Sequence, residues 1–200
     1  MEMGEPKQFG MIADGVKRDL RSQLKSRKLD GKTAYTASFT VDVPSDYVVF
    51  LEPAPYWEPA EKKMIVHYTK VVVGALGAEE GWDDMVGFPV EIAPLVRPYG
   101  LWTGNCFRGI VRKDGKPVPF ATIEVEYYNS DRAVKAPSDP FVTQTIKADA
   151  AGTFCYAMPR AGWWGFAALI DGDEKMKNPD GEMVDVELGA LIWVRTVDMK

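Results

Sequence analysis

The sequence has few histidines, few cysteines and no long apolar run. Its 200 residues include one histidine, His67, and two cysteines, Cys106 and Cys155. A single imidazole excludes multi-histidine metal centres, the paired-histidine motif of zinc proteases and any mechanism that needs two histidines. The best apolar run, residues 71–76, is far shorter than the roughly 20 residues of a membrane-spanning helix. We therefore expect no direct membrane insertion by this chain.

Basic residues are also fewer than acidic residues. Lys and Arg together number 24 and Asp and Glu number 29, which gives a net charge of −5 and an isoelectric point near 5.0. Nucleic acids and anionic membranes require a basic face on the protein that binds them. The charge balance therefore predicts no nucleic-acid partner.

Sequence motifs of catalysis are missing as well. The sequence contains no Gly-x-Ser-x-Gly elbow, no phosphate-binding loop, no Gly-x-Gly-x-x-Gly and no Cys-x-x-Cys. These motifs hold nucleophiles, phosphates or redox thiols in place. We predict a protein that is not an enzyme. Hydrolysis by two paired carboxylates needs no such motif and stays open as a third hypothesis.

Apolar residues recur at every second position along much of the chain. This alternation predicts strands at residues 35–43, 47–51, 65–73, 121–128, 141–148, 153–158, 163–170 and 190–197. Asp-Gly pairs beginning at positions 30, 114, 171 and 180 are typical of hairpin turns. Only residues 16–28 carry a helical stripe, so we expect a short helix there or none. The predicted fold class is all-β.

The length and spacing of the predicted strands change between residues 93 and 104. Pro94 and Pro98 cannot donate ladder hydrogen bonds, and shorter, evenly spaced strands follow them. We predict two β-sandwich-like domains, residues 1–97 and residues 98–200.

The most unusual stretch is rich in proline and aromatic residues. Its prolines stiffen a predicted loop, and Tyr56 and Trp57 at the tip are candidate binding residues. Glu58, Glu61 and His67 could together bind a divalent first-row ion through oxygen and nitrogen. In the simpler interpretation, His67 is a strand residue hydrogen-bonded to a neighbour and the two glutamates are solvated.

Two further stretches have a binding and a structural interpretation. Residues 79–84 carry four acidic side chains, which either bind a cation or form a solvated loop that Trp82 pins to the core. Trp163 and Trp164 are successive strand residues and so point to opposite faces. One indole enters the core, and the other packs at a domain junction or is exposed, where it could stack on a sugar.

The two cysteines both lie on predicted strands. They allow one disulfide, but a pair of cysteines is weak evidence for one. Two buried free thiols are the preferred interpretation from the residues alone, because a free cysteine behaves as a small apolar side chain.

Five sequence blocks, in order, resemble a known bacterial family. They are residues 53–60 (PAPYWEPA), 65–70 (IVHYTK), 91–101 (EIAPLVRPYGL), 104–129 (GNCFRGIVRKDGKPVPFATIEVEYYN) and 158–166 (MPRAGWWGF). These blocks are similar to DUF4198 proteins, which are described as periplasmic components of nickel or cobalt uptake systems. The resemblance implies a periplasmic location, Ni²⁺ or Co²⁺ as a bound ion, and membrane transporter subunits as partners.

A second resemblance concerns the C-terminal half. Its order of an Asp-Gly-Lys-Pro turn, an Ala-x-Ile-x-Val strand, a Gly-Thr-Phe strand and a Gly-Trp strand is similar to the prealbumin-like, Ig-like sandwich of carboxypeptidase regulatory domains. That resemblance implies that Cys106 lies near Cys155 and could form a disulfide with it, which a periplasmic location would permit.

The sequence as given also departs from the DUF4198 pattern at its start. Family members have a signal peptide and further N-terminal segments that contain histidine, and residues 1–12 begin inside that pattern. We expect upstream segments to be missing from this sequence.

These observations lead to a first prediction and a second hypothesis. The first is a non-enzymatic periplasmic accessory or binding protein of a nickel or cobalt uptake system, with Glu58, Glu61 and His67 as its metal surface. The second is a carbohydrate-binding or adhesion module that stacks sugars on Trp57 and on Trp163 or Trp164.

Overall fold

The computed structural model describes residues 3–200, and its elements are almost all strands, which confirms the all-β fold class. The eighteen strands are β1 Gln8–Ala13, β2 Val16–Asp19, β3 Lys25–Leu29, β4 Lys32–Thr36, β5 Ser45–Glu52, β6 Tyr56–Glu58, β7 Lys63–Ala75, β8 Val90–Pro94, β9 Leu101–Trp102, β10 Cys106–Lys113, β11 Lys116–Pro117, β12 Thr122–Tyr127, β13 Thr143–Lys147, β14 Thr153–Ala157, β15 Gly162–Asp171, β16 Met176–Lys177, β17 Met183–Val184 and β18 Val186–Val197. Short 3-10 turns occupy Arg21–Gln23 and Asp139–Phe141. No helix in the described part of the chain is long and apolar enough to cross a membrane.

Ten strands form one main sheet. Its order is β13-β12-β15-β18-β7-β5-β1-β2, with β6 paired to β7 and β9 paired to β18. β8, β10, β11 and β14 form a small sheet, and two hairpins, β3-β4 and β16-β17, stand apart. The β7–β18 pairing in the main sheet is parallel, and β8 pairs with β10 in the small sheet. Hydrogen bonds of both sheets therefore cross the predicted boundary at residue 97, and the division into two domains stays a prediction.

The core lies between the small sheet and one half of the main sheet. Alternation along β15 turns Trp164, Phe166 and Ala168 inward, where Phe166 meets Phe107 of β10 with ring centroids 4.7 Å apart. We call this side of the main sheet its inner face and the opposite side its outer face. Burying such aromatic side chains supplies most of the stabilisation of a sandwich of this size.

A loop covers the other half of the inner face. Val86 and Phe88, from the segment between β7 and β8, pack against Val48 and Phe50 of β5. Phe88 meets the Phe50 ring edge-on at 5.8 Å. The inner face is therefore buried by the small sheet at one end and by residues 76–89 at the other.

The structure confirms some local predictions and corrects others. Residues 16–28 form β2, a 3-10 turn and the start of β3 and contain no α-helix, which agrees with the expectation of a short helix or none. The strand predicted at 35–43 ends at Thr36, after which Val41 packs on Met11 and Tyr47 as a covering segment. The Asp30-Gly31 and Asp114-Gly115 pairs close hairpins with positive φ at both residues. The pair at position 171 instead leads out of β15 into the long connection to β18.

Candidate functional site

The outer face of the main sheet carries an aromatic groove. We use this name for the shallow, wide-open hollow of about 300 Å³ that is lined by Val71, Tyr128, Trp163 and Trp193. Val71 lies on β7, Trp193 on β18, Trp163 on β15, and Tyr128 directly follows β12. Four adjacent strands thus each contribute one side chain, and three of the four are aromatic.

Strand alternation and one glycine shape this groove. Trp164 points into the core and is 3% exposed, so its neighbour Trp163 must point outward, as predicted. Gly165 lies opposite Trp193, and a Cβ at Gly165 would lie 3.3 Å from the Trp193 ring. The missing side chain therefore leaves room for the indole to lie across β15. Tyr128 meets the Trp193 ring edge-on at 5.9 Å.

Charged side chains border the aromatic groove. The guanidinium carbon of Arg195 lies 5.9 Å from the centre of the Trp163 ring, within cation–π range. Glu126 lies on β12 opposite Gly165, and the Thr143 hydroxyl donates a hydrogen bond to its carboxylate. An apolar floor with a few polar groups at its margin is typical of a ligand site.

The proline-rich stretch is a short strand and does not place its aromatic residues at a loop tip. Tyr56, Trp57 and Glu58 form β6, which pairs with the start of β7, and all three are half-buried. Trp57 packs on the inner-face cluster that contains Met64. Glu58 accepts a hydrogen bond from the backbone N–H of Ala60 at 3.1 Å. The predicted tip position of Tyr56 and Trp57 is therefore wrong.

His67 lies in the middle of β7, half-buried against Gly189 of β18. A Cβ at Gly189 would lie 2.3 Å from Cδ2 of the imidazole, so the ring occupies the space that this glycine leaves. Nε2 is enclosed and has no hydrogen-bond partner within residues 3–200. Burial lowers the pKa of His67, so the imidazole is neutral at pH 7.

The three predicted metal ligands are not gathered into one ligand set. Glu61 lies close enough to Glu187 and Glu124 for its charge to raise the pKa of both carboxyls, although burial is the larger cause in each case. The pKa of His67, in contrast, is lowered by burial, and no charge of Glu58 or Glu61 contributes to that shift. Among residues 3–200 no group of three or more His, Cys, Asp or Glu side chains has a metal-binding arrangement. A metal site at Glu58, Glu61 and His67 stays a proposal.

The acidic stretch is anchored to the rest of the protein. Glu79 forms an ion pair with Arg97 at 2.9 Å, and Trp82 packs against the cluster that contains Val48 and Phe50. The pinning role predicted for Trp82 is confirmed.

The two cysteines are free thiols at the protein surface. Cys106 begins β10 and Cys155 lies on the neighbouring strand β14. Both are exposed, so the preferred interpretation of two buried thiols is wrong. The proximity implied by the carboxypeptidase-like resemblance is found in the structure.

Two polar pairs, one buried and one partly buried, were not foreseen from the sequence. Lys70 on β7 reaches Glu91 on β8 at 2.6 Å, and their side chains are 2% and 4% exposed. The Tyr99 hydroxyl donates to Asp46 at 2.9 Å, and burial is the main cause that raises the pKa of Tyr99 to about 12. A signal existed for Lys70, because it occupies an inward position of β7 between Val66 and Val72.

The fold and these surfaces define an all-β sandwich protein with a candidate binding groove. Residues 1–172 match the DUF4198 family, which is described as a domain of unknown function. The chain therefore belongs to the DUF4198 family. No curated protein matches the chain. The family assignment made from the five sequence blocks is confirmed, and the nickel or cobalt association and the prealbumin-like C-terminal domain stay predictions.

Proposed function

We propose that this chain is a non-enzymatic binding protein of the cell envelope and that the aromatic groove is its recognition surface. The observation that supports the proposal is the line of outward-facing side chains Val71, Trp193, Trp163 and Tyr128 across four strands. A contiguous apolar patch at the surface of a soluble domain commonly marks an interaction site. These side chains supply contact area, and none of them is part of an acid–base pair. The envelope location rests on the family resemblance.

The chemistry of the groove favours a carbohydrate ligand. Indole and phenol rings offer flat apolar faces on which the C–H face of a sugar ring can stack. Glu126 and Arg195 lie at the margin of the groove. The Glu126 carboxylate can accept hydrogen bonds from sugar hydroxyls, and the Arg195 guanidinium can donate hydrogen bonds to them. This proposal takes up the second hypothesis of the sequence analysis, with Trp163 and Trp193 as the stacking residues, since Trp57 packs against the inner-face cluster that contains Met64.

Binding to polysaccharides tests this proposal. The purified chain is mixed with chitin, cellulose or peptidoglycan sacculi, and the protein left in solution is measured. We expect retention on at least one of them, and a loss of at least about tenfold in affinity in Trp163→Ala and Trp193→Ala, equivalent to about 1.4 kcal/mol. Trp102→Ala is the matched control, because Trp102 is 43% exposed and lies outside the groove. No retention on any polymer, or equal retention of all variants, would contradict the proposal.

A second candidate function is an accessory role in nickel or cobalt uptake. In this proposal the protein is periplasmic, binds Ni²⁺ or Co²⁺ weakly and docks on a membrane transporter subunit. It rests on the family resemblance and on His67, whose neutral imidazole is the form that coordinates first-row metals. The unpartnered Nε2 of His67 is the one observation on the structure that favours it.

Calorimetry tests the metal hypothesis. Titration of NiCl₂ or CoCl₂ into the protein is expected to give a saturable heat that disappears in His67→Ala and in the milder His67→Gln. Glu174→Gln is the matched control, because Glu174 is an exposed carboxylate outside the predicted ligand set. Equal heats from all four proteins, or none from the wild type, would remove His67 as a ligand.

A further inference from the structure

The basic residues of this acidic chain are concentrated in one segment. Residues 16–32 contain seven Lys and Arg but two Asp and Glu, a net charge of +5, so the rest of the chain carries −10. Four of these seven basic residues lie on the β3-β4 hairpin. This hairpin pairs with neither the main sheet nor the small sheet. A local basic surface therefore exists on a protein whose overall charge is negative.

The strand register places three cations and one apolar side chain on the same face of the hairpin. Lys25, Arg27 and Leu29 occupy every second position of β3, and Lys32 of β4 is opposite Leu29. We call these four residues the basic face. All four are exposed to solvent, and Leu29, directly before the turn at the tip, is 53% exposed. The basic face therefore presents positive charge around an apolar side chain at the end of the hairpin.

The charges of the basic face are not neutralised by the protein itself. Within residues 3–200, no ion pair joins Lys25, Arg27 or Lys32 to a carboxylate. Arg21, which precedes the hairpin, contrasts with them, because it binds the Asp19 carboxylate at 2.7 Å. The three cations of the basic face are therefore available to an anionic partner, and no internal pair has to be broken before they bind one.

We propose that the basic face attaches this protein peripherally to an anionic phospholipid membrane. Anionic lipids attract Lys and Arg side chains close to their headgroups, and an apolar side chain at the tip can enter the interfacial layer. Leu29 favours this partner over a soluble polyanion, which offers no apolar layer. The rest of the chain, with its charge of −10, is repelled by the same surface, so the protein should approach the membrane with the hairpin first. The attachment requires no membrane-spanning segment.

Sedimentation with vesicles tests the proposal on the full chain. Vesicles of phosphatidylcholine alone, or of an equal mixture with phosphatidylglycerol, are mixed with the protein, and the bound fraction is measured. We expect binding to the mixed vesicles alone, and its loss in about 1 M NaCl, where the Debye length is about 3 Å. The triple variant Lys25→Gln, Arg27→Gln and Lys32→Gln should bind roughly 100-fold more weakly, at about fivefold for each charge. Leu29→Ser, which keeps every charge, should weaken binding by at least about threefold.

A second triple variant is the matched control. Lys116→Gln, Lys135→Gln and Lys147→Gln remove the same number of charges at exposed positions outside the hairpin, and should bind the mixed vesicles nearly as well as the wild type. No binding of the wild type to mixed vesicles, or equal binding of the two triple variants, would overturn the proposal. Binding to double-stranded DNA or to polygalacturonate without binding to vesicles would overturn it as well. None of these outcomes depends on the ligand of the aromatic groove.

Discussion

Removal of one partner of the buried Lys70–Glu91 pair should strongly destabilise the protein. The Nζ–Oε1 distance is 2.6 Å, and both side chains are almost fully buried. Burial lowers the pKa of Lys70, against the opposing effects of the charge and the hydrogen bond of Glu91. A buried charge that loses its partner costs about 3–5 kcal/mol. We therefore expect Lys70→Met to lower the free energy of unfolding by about 3 kcal/mol.

The two partners are not equivalent. Glu91 also accepts the backbone N–H groups of Val86 at 2.8 Å and Gly87 at 3.1 Å, and so holds the loop that covers the inner face. Each buried donor left without an acceptor costs about 1–3 kcal/mol. Glu91→Leu should therefore lower the free energy of unfolding by at least about 5 kcal/mol, a large part of the 5–15 kcal/mol that is usual for a domain.

Urea unfolding at pH 7, followed by tryptophan fluorescence, measures these differences. Lys175→Met is the control, because Lys175 pairs with Asp185 at 3.0 Å and both side chains are more than half exposed. Such a pair contributes less than about 1 kcal/mol. In the double variant with Lys70→Met and Glu91→Gln, the losses should be clearly less than additive. A loss in Lys70→Met no larger than that in Lys175→Met would refute the reasoning.

Three further predictions concern buried polar groups and one close contact. Burial raises the pKa of Asp46, whose Oδ1 has no partner within residues 3–200, so its contribution to stability is lost as pH rises through the raised pKa. Asp46→Asn should be more stable than the wild type at pH 7 but not at pH 3, and equal urea midpoint shifts at both would contradict this. Burial lowers the pKa of His67 below 6.5, so the wild type should lose stability as pH falls below 6.5 and through that lowered pKa. His67→Gln should not show this loss. Thermal midpoints at pH 7 and pH 5 test the difference. Gly189→Ala should cost about 1–3 kcal/mol in urea unfolding, because its Cβ would meet the His67 ring, and His67→Ala in the same chain should relieve most of that cost.

Alternation of apolar residues predicted strands well where the strand lies in the interior of the main sheet. β7, β15 and β18 lie in the interior of the main sheet, and their predicted segments fall within the observed strands. The prediction failed at residues 37–43, where Val41 packs on the Met11–Tyr47 cluster but Phe39 and Val43 are exposed, and the segment joins no sheet. Apolar residues at every second position do not make a strand by themselves, because a strand also needs a neighbour with which to pair.

Composition misled the prediction of the candidate site. Prolines beside Tyr56 and Trp57 suggested a stiff loop, yet the prolines bracket a three-residue strand whose pairing with β7 carries Trp57 to the inner face. Proline is compatible with a strand at its ends, where its nitrogen has no ladder partner to serve. The number of prolines alone could not show on which side of the sheet the indole lies.

The aromatic groove depends on sheet registers that no local pattern encodes. Trp193 comes beside Val71 only because β18 pairs in parallel with β7, across more than half of the chain. It comes beside Gly165 through the β15–β18 register, and Tyr128 joins through its hydrogen bond to the Trp163 carbonyl. A one-residue slip in any of these pairings would turn an aromatic ring toward the core. Each strand could be recognised from its own residues, but the surface that the strands build together required the order and register of the whole sheet.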